Sequence, residues 1–163
     1  MSSPNRADFR KRLTDVIGTS VLHAMGLRES LVEEKSALER QDLAALDCAV
    51  EAKSRCINDL AALDSKRSGL CTQAGFEAGP EQMQSVMAWC DEGAVIADAW
   101  DELMAIAADC NALNMTNGAI IRVREQQIRS SLSVLRGQAP ANDTYGHPRK
   151  ASSGFDQRSL AEA

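Results

Sequence analysis

The sequence predicts an all-α fold: an elongated, coiled-coil-like antiparallel helical bundle of three long helices plus one short helix, with a flexible C-terminal tail. Long stretches carry apolar residues at alternating steps of three and four, which is typical of helices packed along one face. Only four prolines and ten glycines occur among 163 residues, and most lie outside those stretches. Aromatic residues amount to 4% of the chain, so aliphatic side chains must form most of the core. Strands are not expected.

The longest periodic stretch, residues 94–136, is predicted to form one helix around which the others are arranged. At about 1.5 Å per residue it would be on the order of 60 Å long, which predicts a rod. Its predicted seam consists of Ile96, Ala99, Leu103, Ile106, Cys110, Leu113, Asn117 and Ile120. Beyond Ile120 a strict heptad would place Arg124 and Gln127 on the seam, whereas the apolar residues lie one position later than the heptad register. They are Ile121, Ile128, Leu132 and Leu135, so the apolar face is expected to rotate along the helix.

Two long helices precede this stretch. The first is expected at about residues 4–40, with Ser3 as its N-terminal cap. The second is expected at about 42–73, with Asp42 as its cap. A tight turn at Gln41 would fold the two into an antiparallel hairpin.

Glycine and proline residues then break the chain within residues 73–80, where Gly75 is the predicted C-terminal cap of the second helix. A short helix is expected at about 80–92, and Gly93 bends or interrupts it before the long helix. The side chains expected to anchor this segment on the hairpin are those of Trp89 and Trp100. Residues 1–137 would thus form the helical bundle. Residues 138–163, which are poor in apolar side chains, would form a flexible tail that orders on binding.

Composition argues against several classes of function. The net charge of −5 and the pI near 5.1 disfavour a nucleic-acid binder, which must neutralise phosphates. The two histidines, His23 and His147, have no ligand or catalytic partner at suitable spacing, so neither an enzyme nor a cofactor nor a metal site is predicted. The five cysteines form no Cys-x-x-Cys pair and are expected to be buried or half-buried reduced thiols.

No stretch is apolar for long enough to cross a membrane, and the charged first dozen residues do not resemble a secretory signal. The sequence therefore predicts a soluble cytoplasmic protein without stable membrane insertion.

Binding of another helix is the function that the pattern favours. Residues 119–136 would present an apolar groove to an amphipathic client helix. Alternatively, the same residues pack on the first two helices. Because the second helix is too short to cover the whole long helix, an apolar end is expected to be left over, either as a client site or as a dimer seam.

Three asparagines in the long helix, Asn111, Asn114 and Asn117, are unfavourable inside a helix. Their amides would either bond across the bundle and set its register or form an exposed polar face.

Three segments of the chain resemble the FlgN-type flagellar export chaperones, and the similarity covers almost the whole chain. They read LVEEKSALERQDLAAL from Leu31, followed by Lys53, Leu60 and Arg67; NMTNGAII from Asn114; and TYGHPRKASSGFDQRSLAEA from Thr144. The resemblance implies a cytoplasmic type III secretion chaperone. Its clients would be the C-terminal helices of the hook-filament junction proteins FlgK and FlgL, which it would deliver to the export gate protein FlhA.

The resemblance also implies site residues. The family's Asn-x-x-Asn-Gly motif, at the head of the client-binding part, falls on Asn114, Asn117, Gly118, Ile120 and Ile121. By the apolar pattern of the sequence, the client-binding surface would continue through Ile128, Leu132 and Leu135. The resemblance places Tyr145 on the tail tyrosine associated with the export gate. The tail departs from the family pattern, because Pro148, Arg149 and Lys150 precede Gly154 where a second glycine usually comes sooner. The alternatives are a chaperone for flagellin or the filament cap, and a homodimeric structural coiled-coil protein.

Overall fold

A computed structural model of the chain describes residues 5–137. Within that range the chain forms four helices: α1 (Arg6–Arg40), α2 (Leu43–Gln73), α3 (Gln82–Cys90) and α4 (Val95–Leu135). No strand occurs among these residues. The predicted all-α bundle of three long helices and one short helix is therefore confirmed. The predicted tail, residues 138–163, lies outside the described residues.

Helices α1 and α2 form the predicted antiparallel hairpin. Gln41 adopts a left-handed conformation (φ 60°) and donates its backbone N–H to the carbonyls of Ala37 and Leu38, which closes α1. The Asp42 side chain caps α2 as predicted, because it accepts a hydrogen bond from the Ala45 N–H at 3.0 Å. At the other end of α1 the cap is Asn5, which accepts from the Ala7 N–H; the predicted cap Ser3 lies outside the described residues.

The segment between α2 and α4 is fixed by backbone turns and by one carboxylate. Gly75 is left-handed (φ 94°), and Phe76 N–H bonds to the Cys71 carbonyl, which together close α2 in a Schellman motif. Gly93 (φ 96°) separates α3 from α4. Asp91 ends α3, and its two carboxylate oxygens accept from the first N–H groups of α4, those of Ile96 (3.0 Å) and Ala97 (2.8 Å). The same residue therefore stops one helix and caps the next.

All four helices contribute to the larger hydrophobic core. Its buried members are Phe9, Leu13, Val16, Ile17, Leu70, Cys71, Met83, Val86, Cys90 and Ile96. Trp89 packs at its edge, with ring centroids 5.4 Å from Phe9 and 5.5 Å from Phe76. The Arg67 guanidinium lies over the Trp100 ring at 5.4 Å. Both tryptophans thus contact the hairpin, as predicted.

Helix α4 runs parallel to α1 in one defined register. Three α4 side chains, each seven residues from the next, reach α1 backbone carbonyls that are also seven residues apart. The pairs are Cys110 Sγ with Ala24 O at 3.7 Å, Asn117 Nδ2 with Leu31 O at 2.9 Å, and Arg124 Nη2 with Leu38 O at 3.5 Å. A second core cluster lies along this line, formed by Val21, Ala24, Leu31, Ile106 and Cys110. The heptad pattern of the sequence is thus realised as repeated contact between two parallel helices.

The described chain divides after Glu125 into two units. Residues 126–135 of the second unit are helical, but none of their side chains is buried. Helical periodicity alone does not distinguish a packed helix from an exposed one.

Candidate functional site

Three of the predicted client-binding residues lie in the last turns of α4, and all three are exposed. The accessible fractions are 61% for Ile128, 44% for Leu132 and 81% for Leu135. Their spacing of four and then three residues places them on one face of the helix. Single exposed aliphatic residues are common on protein surfaces, and helices dock on one another through apolar residues aligned on one face.

The predicted residues on the N-terminal side of that face have different environments. Asn114 and Ile121 are exposed, Gly118 and Ile120 are half-buried, and Asn117 is buried. The Asn-x-x-Asn-Gly step therefore does not form a single exposed surface.

Asn117 is the centre of a buried polar network that joins the three long helices. It is 1% exposed, and its amide nitrogen donates to the Leu31 carbonyl at 2.9 Å and to Glu34 Oε2 at 2.7 Å. The other oxygen of the Glu34 carboxylate accepts from the Lys53 ammonium of α2. The Glu34 side chain is only 4% exposed, so this network compensates a buried charge.

The two interpretations of the asparagines each hold for part of the set. Asn117 bonds across the bundle, whereas Asn111 and Asn114 are exposed. Within the described residues, the Asn117 side-chain oxygen is buried without a hydrogen-bond partner. One unmet acceptor of this kind costs about 1–3 kcal/mol, so this network carries a cost in stability.

Glu34 is a buried polar partner of Asn117 that the sequence analysis missed, although a signal was present. The apolar residues of α1 recur at Leu27, Leu31 and Leu38, and Glu34 occupies the missing position of that series. A carboxylate in a helical seam needs a buried partner. Asn117 in the seam of α4 and Lys53 in α2 are the partners it finds.

The strict heptad and the apolar stripe make different predictions about which side chain of α4 is buried beyond Asn117. The strict heptad placed Arg124 on the seam, whereas the apolar stripe placed Ile121 there. In the structure Arg124 is half-buried and donates to the carbonyls of Leu38 and Glu39, both at 3.5 Å, while Ile121 is 39% exposed. The guanidinium thus lies against the last carbonyls of α1, where a cation is favourable.

Three of the five cysteines are buried thiols. Burial raises the pKa of the Cys71, Cys90 and Cys110 thiols, which disfavours the reactive thiolate. Cys48 is exposed, so the expectation that every cysteine is at least half-buried is wrong for this residue, which lies on the outer face of α2. Residues 5–137 contain no cluster of three potential metal ligands.

Two further predictions concern the tail and membranes. Tyr145, the predicted export-gate contact, lies outside the described residues. Among the helices of residues 5–137, none is both long and apolar enough to cross a membrane.

The fold and the exposed face of α4 define the chain as a helical-bundle protein that presents an aligned apolar surface near the end of its longest helix. A family model described as FlgN protein matches residues 11–153, which is most of the chain. The chain belongs to the FlgN family, which is a family of flagellar export chaperones. Searches of curated proteins and of solved structures gave no significant match.

Proposed function

We propose that this chain is a cytoplasmic chaperone for the hook-filament junction proteins FlgK and FlgL. It binds their C-terminal amphipathic helices, prevents their premature association and delivers them to the export gate protein FlhA. The observation that carries this proposal is the exposed face formed by Ile128, Leu132 and Leu135, in a member of a family of export chaperones.

Capture of a client helix by this face requires no catalytic step. A client helix with its own apolar stripe would lie along α4 and remove both stripes from water. Burying an exposed aliphatic side chain contributes about 1.5–3 kcal/mol, and part of that gain offsets the entropy lost when the client helix orders. A moderate net affinity suits a complex that must later release its client.

The remaining predicted residues take different parts in this proposal. Asn114, Gly118, Ile120 and Ile121 extend the client surface towards the N-terminal end of α4. Asn117 acts indirectly, since its buried amide bonds hold α4 against α1. Tyr145 is proposed to contact FlhA.

Titration calorimetry with a panel of peptides tests this function. Peptides spanning the C-terminal helices of FlgK and FlgL should bind the full chain, whereas peptides from flagellin and from the filament cap should bind at least about tenfold more weakly. If the chain preferred a flagellin or filament-cap peptide, it would still be an export chaperone, but FlgK and FlgL would not be its clients. A stable homodimer that binds none of the peptides would instead identify a structural coiled-coil protein.

A further inference from the structure

A second groove lies between α1 and α4, within the part of the chain that precedes Glu125. Its volume is about 600 Å³, and every residue that lines it belongs to one of these two helices. The lining residues on α1 are Arg28, Glu29, Val32 and Glu33; those on α4 are Asp109, Ala112, Leu113 and Thr116. Because α2 supplies none of the lining, the hairpin partner of α1 does not cover this groove.

Val32 is the apolar residue of the α1 wall, and exposed apolar side chains continue along α1 beyond the cavity itself. Val32 is 51% exposed, and Met25 and Leu22 are also exposed on the same helix, seven and ten residues before it. These spacings place the three side chains on one face of α1. Leu22 to Val32 spans about 15 Å of helix axis, enough to hold three turns of another helix.

The rim of the groove is acidic. The lining contains three carboxylates and one cation; the carboxylates are those of Glu29, Glu33 and Asp109. The cation is Arg28, and a nitrogen of its guanidinium lies 3.6 Å from the Asp109 carboxylate. Within residues 5–137, neither Glu29 nor Glu33 has an ion-pair partner. The α4 wall contributes one of these carboxylates, Asp109, and no lysine, arginine or histidine.

We propose that the α1–α4 groove is a second docking surface, which takes a basic amphipathic helix of another protein. Apolar side chains of that helix would contact Val32 and Ala112, and its flanking lysines or arginines would pair with Glu29 and Glu33. Charge complementarity favours this occupant over a second copy of the chain, since an isologous contact would bring the same carboxylates together. The site is independent of the client face at the end of α4 and does not rest on the proposed client.

The test uses an 18-residue peptide with leucines at heptad a and d positions and lysines beside them, with a scrambled peptide of the same composition as control. The full chain should bind the heptad peptide and not the scrambled one, and amides of residues 22–33 should gain protection from hydrogen exchange. Glu29→Lys/Glu33→Lys should weaken binding by about tenfold at low salt. The matched control Asp47→Lys/Glu51→Lys makes the same change of charge on exposed positions of α2 and should leave affinity within about twofold.

A second variant separates apolar contact from general electrostatic attraction. Val32→Ser removes the exposed aliphatic side chain without changing charge and should weaken binding by about fivefold.

Equal weakening by the α1 and α2 charge reversals, or binding of the scrambled peptide, would overturn the proposal. If the chain self-associates and Val32→Ser abolishes that self-association, the groove is a homodimer interface and the proposal is wrong. Ile128→Asp/Leu132→Asp should not alter binding of the basic peptide, so the failure of one site is distinguishable from the failure of the other.

Discussion

Replacing Ile128 and Leu132 with aspartate is expected to weaken binding of a FlgK or FlgL C-terminal peptide by at least about 100-fold. Each wild-type side chain contributes about 1.5–3 kcal/mol when a client buries it, and 1.4 kcal/mol corresponds to a factor of ten. An aspartate in the same place adds the cost of desolvating a charge. Calorimetric titration of the double variant measures the loss.

The fold should not change in this variant. Both side chains are exposed, at 61% and 44%, so their replacement removes no core contact, and exposed substitutions usually change stability by less than about 0.5 kcal/mol. Far-ultraviolet circular dichroism should therefore report the same helix content. Val134→Asp is the matched control: Val134 is 62% exposed but lies two residues from Leu132, on another face of the helix. Equal affinity of the double variant and the wild type would remove Ile128 and Leu132 from the client site.

Replacing Lys53 with methionine is expected to lower the free energy of unfolding by about 3 kcal/mol. The substitution leaves the Glu34 carboxylate buried without its cation, and removing one partner of a buried ion pair typically costs 3–5 kcal/mol. The lower end of that range applies because the Lys53 side chain is 21% exposed and is only partly desolvated. Urea denaturation measures the change.

Lys66→Met provides the control for this prediction, because Lys66 is an exposed lysine of the same helix. It should change stability by less than about 0.5 kcal/mol, and an equal loss in both variants would show that the Glu34 pair contributes nothing specific. The triple variant Glu34→Leu/Lys53→Met/Asn117→Leu should recover most of the lost stability, since buried ionic networks are often replaceable by apolar residues. If the network sets the register of α4, amide resonances of α4 should double in the triple variant.

Local sequence patterns determined most of the fold. The three-and-four spacing identified the long helices, and the turn chemistry at Gln41, Asp42 and Gly75 located their ends. These features depend on contacts within a few residues along the chain, so they are visible without tertiary information.

Tertiary packing decided what the sequence left open. The direction in which the Asn117 amide points depends on Glu34, 83 residues away. That contact has no signature in the local pattern. The separation of α3 from α4, by contrast, is local: Gly93, identified in the sequence, lies at the break, and Asp91 accepts from N–H groups five and six residues further on.

The composition of the candidate site was predictable from the spacing of apolar residues, whereas its exposure could be expected only from the relative lengths of the helices. The sequence identified Ile128, Leu132 and Leu135 as an apolar face, and a packed face would have shown the same spacing. Exposure follows from the absence of a covering helix among the described residues, which periodicity does not encode. The acidic α1–α4 groove was not identified, because it joins residues about eighty positions apart.

Hydrogen exchange on the full chain, alone and with a FlgK or FlgL C-terminal peptide, tests the central claim most directly. Amides of residues 126–135 belong to exposed turns with few packing contacts, where local opening is easiest. Binding of the client should slow their exchange, while amides of residues 22–33 in the α1–α4 groove should be unaffected. Unchanged exchange at 126–135 at a saturating peptide concentration would contradict the claim that this face binds the client.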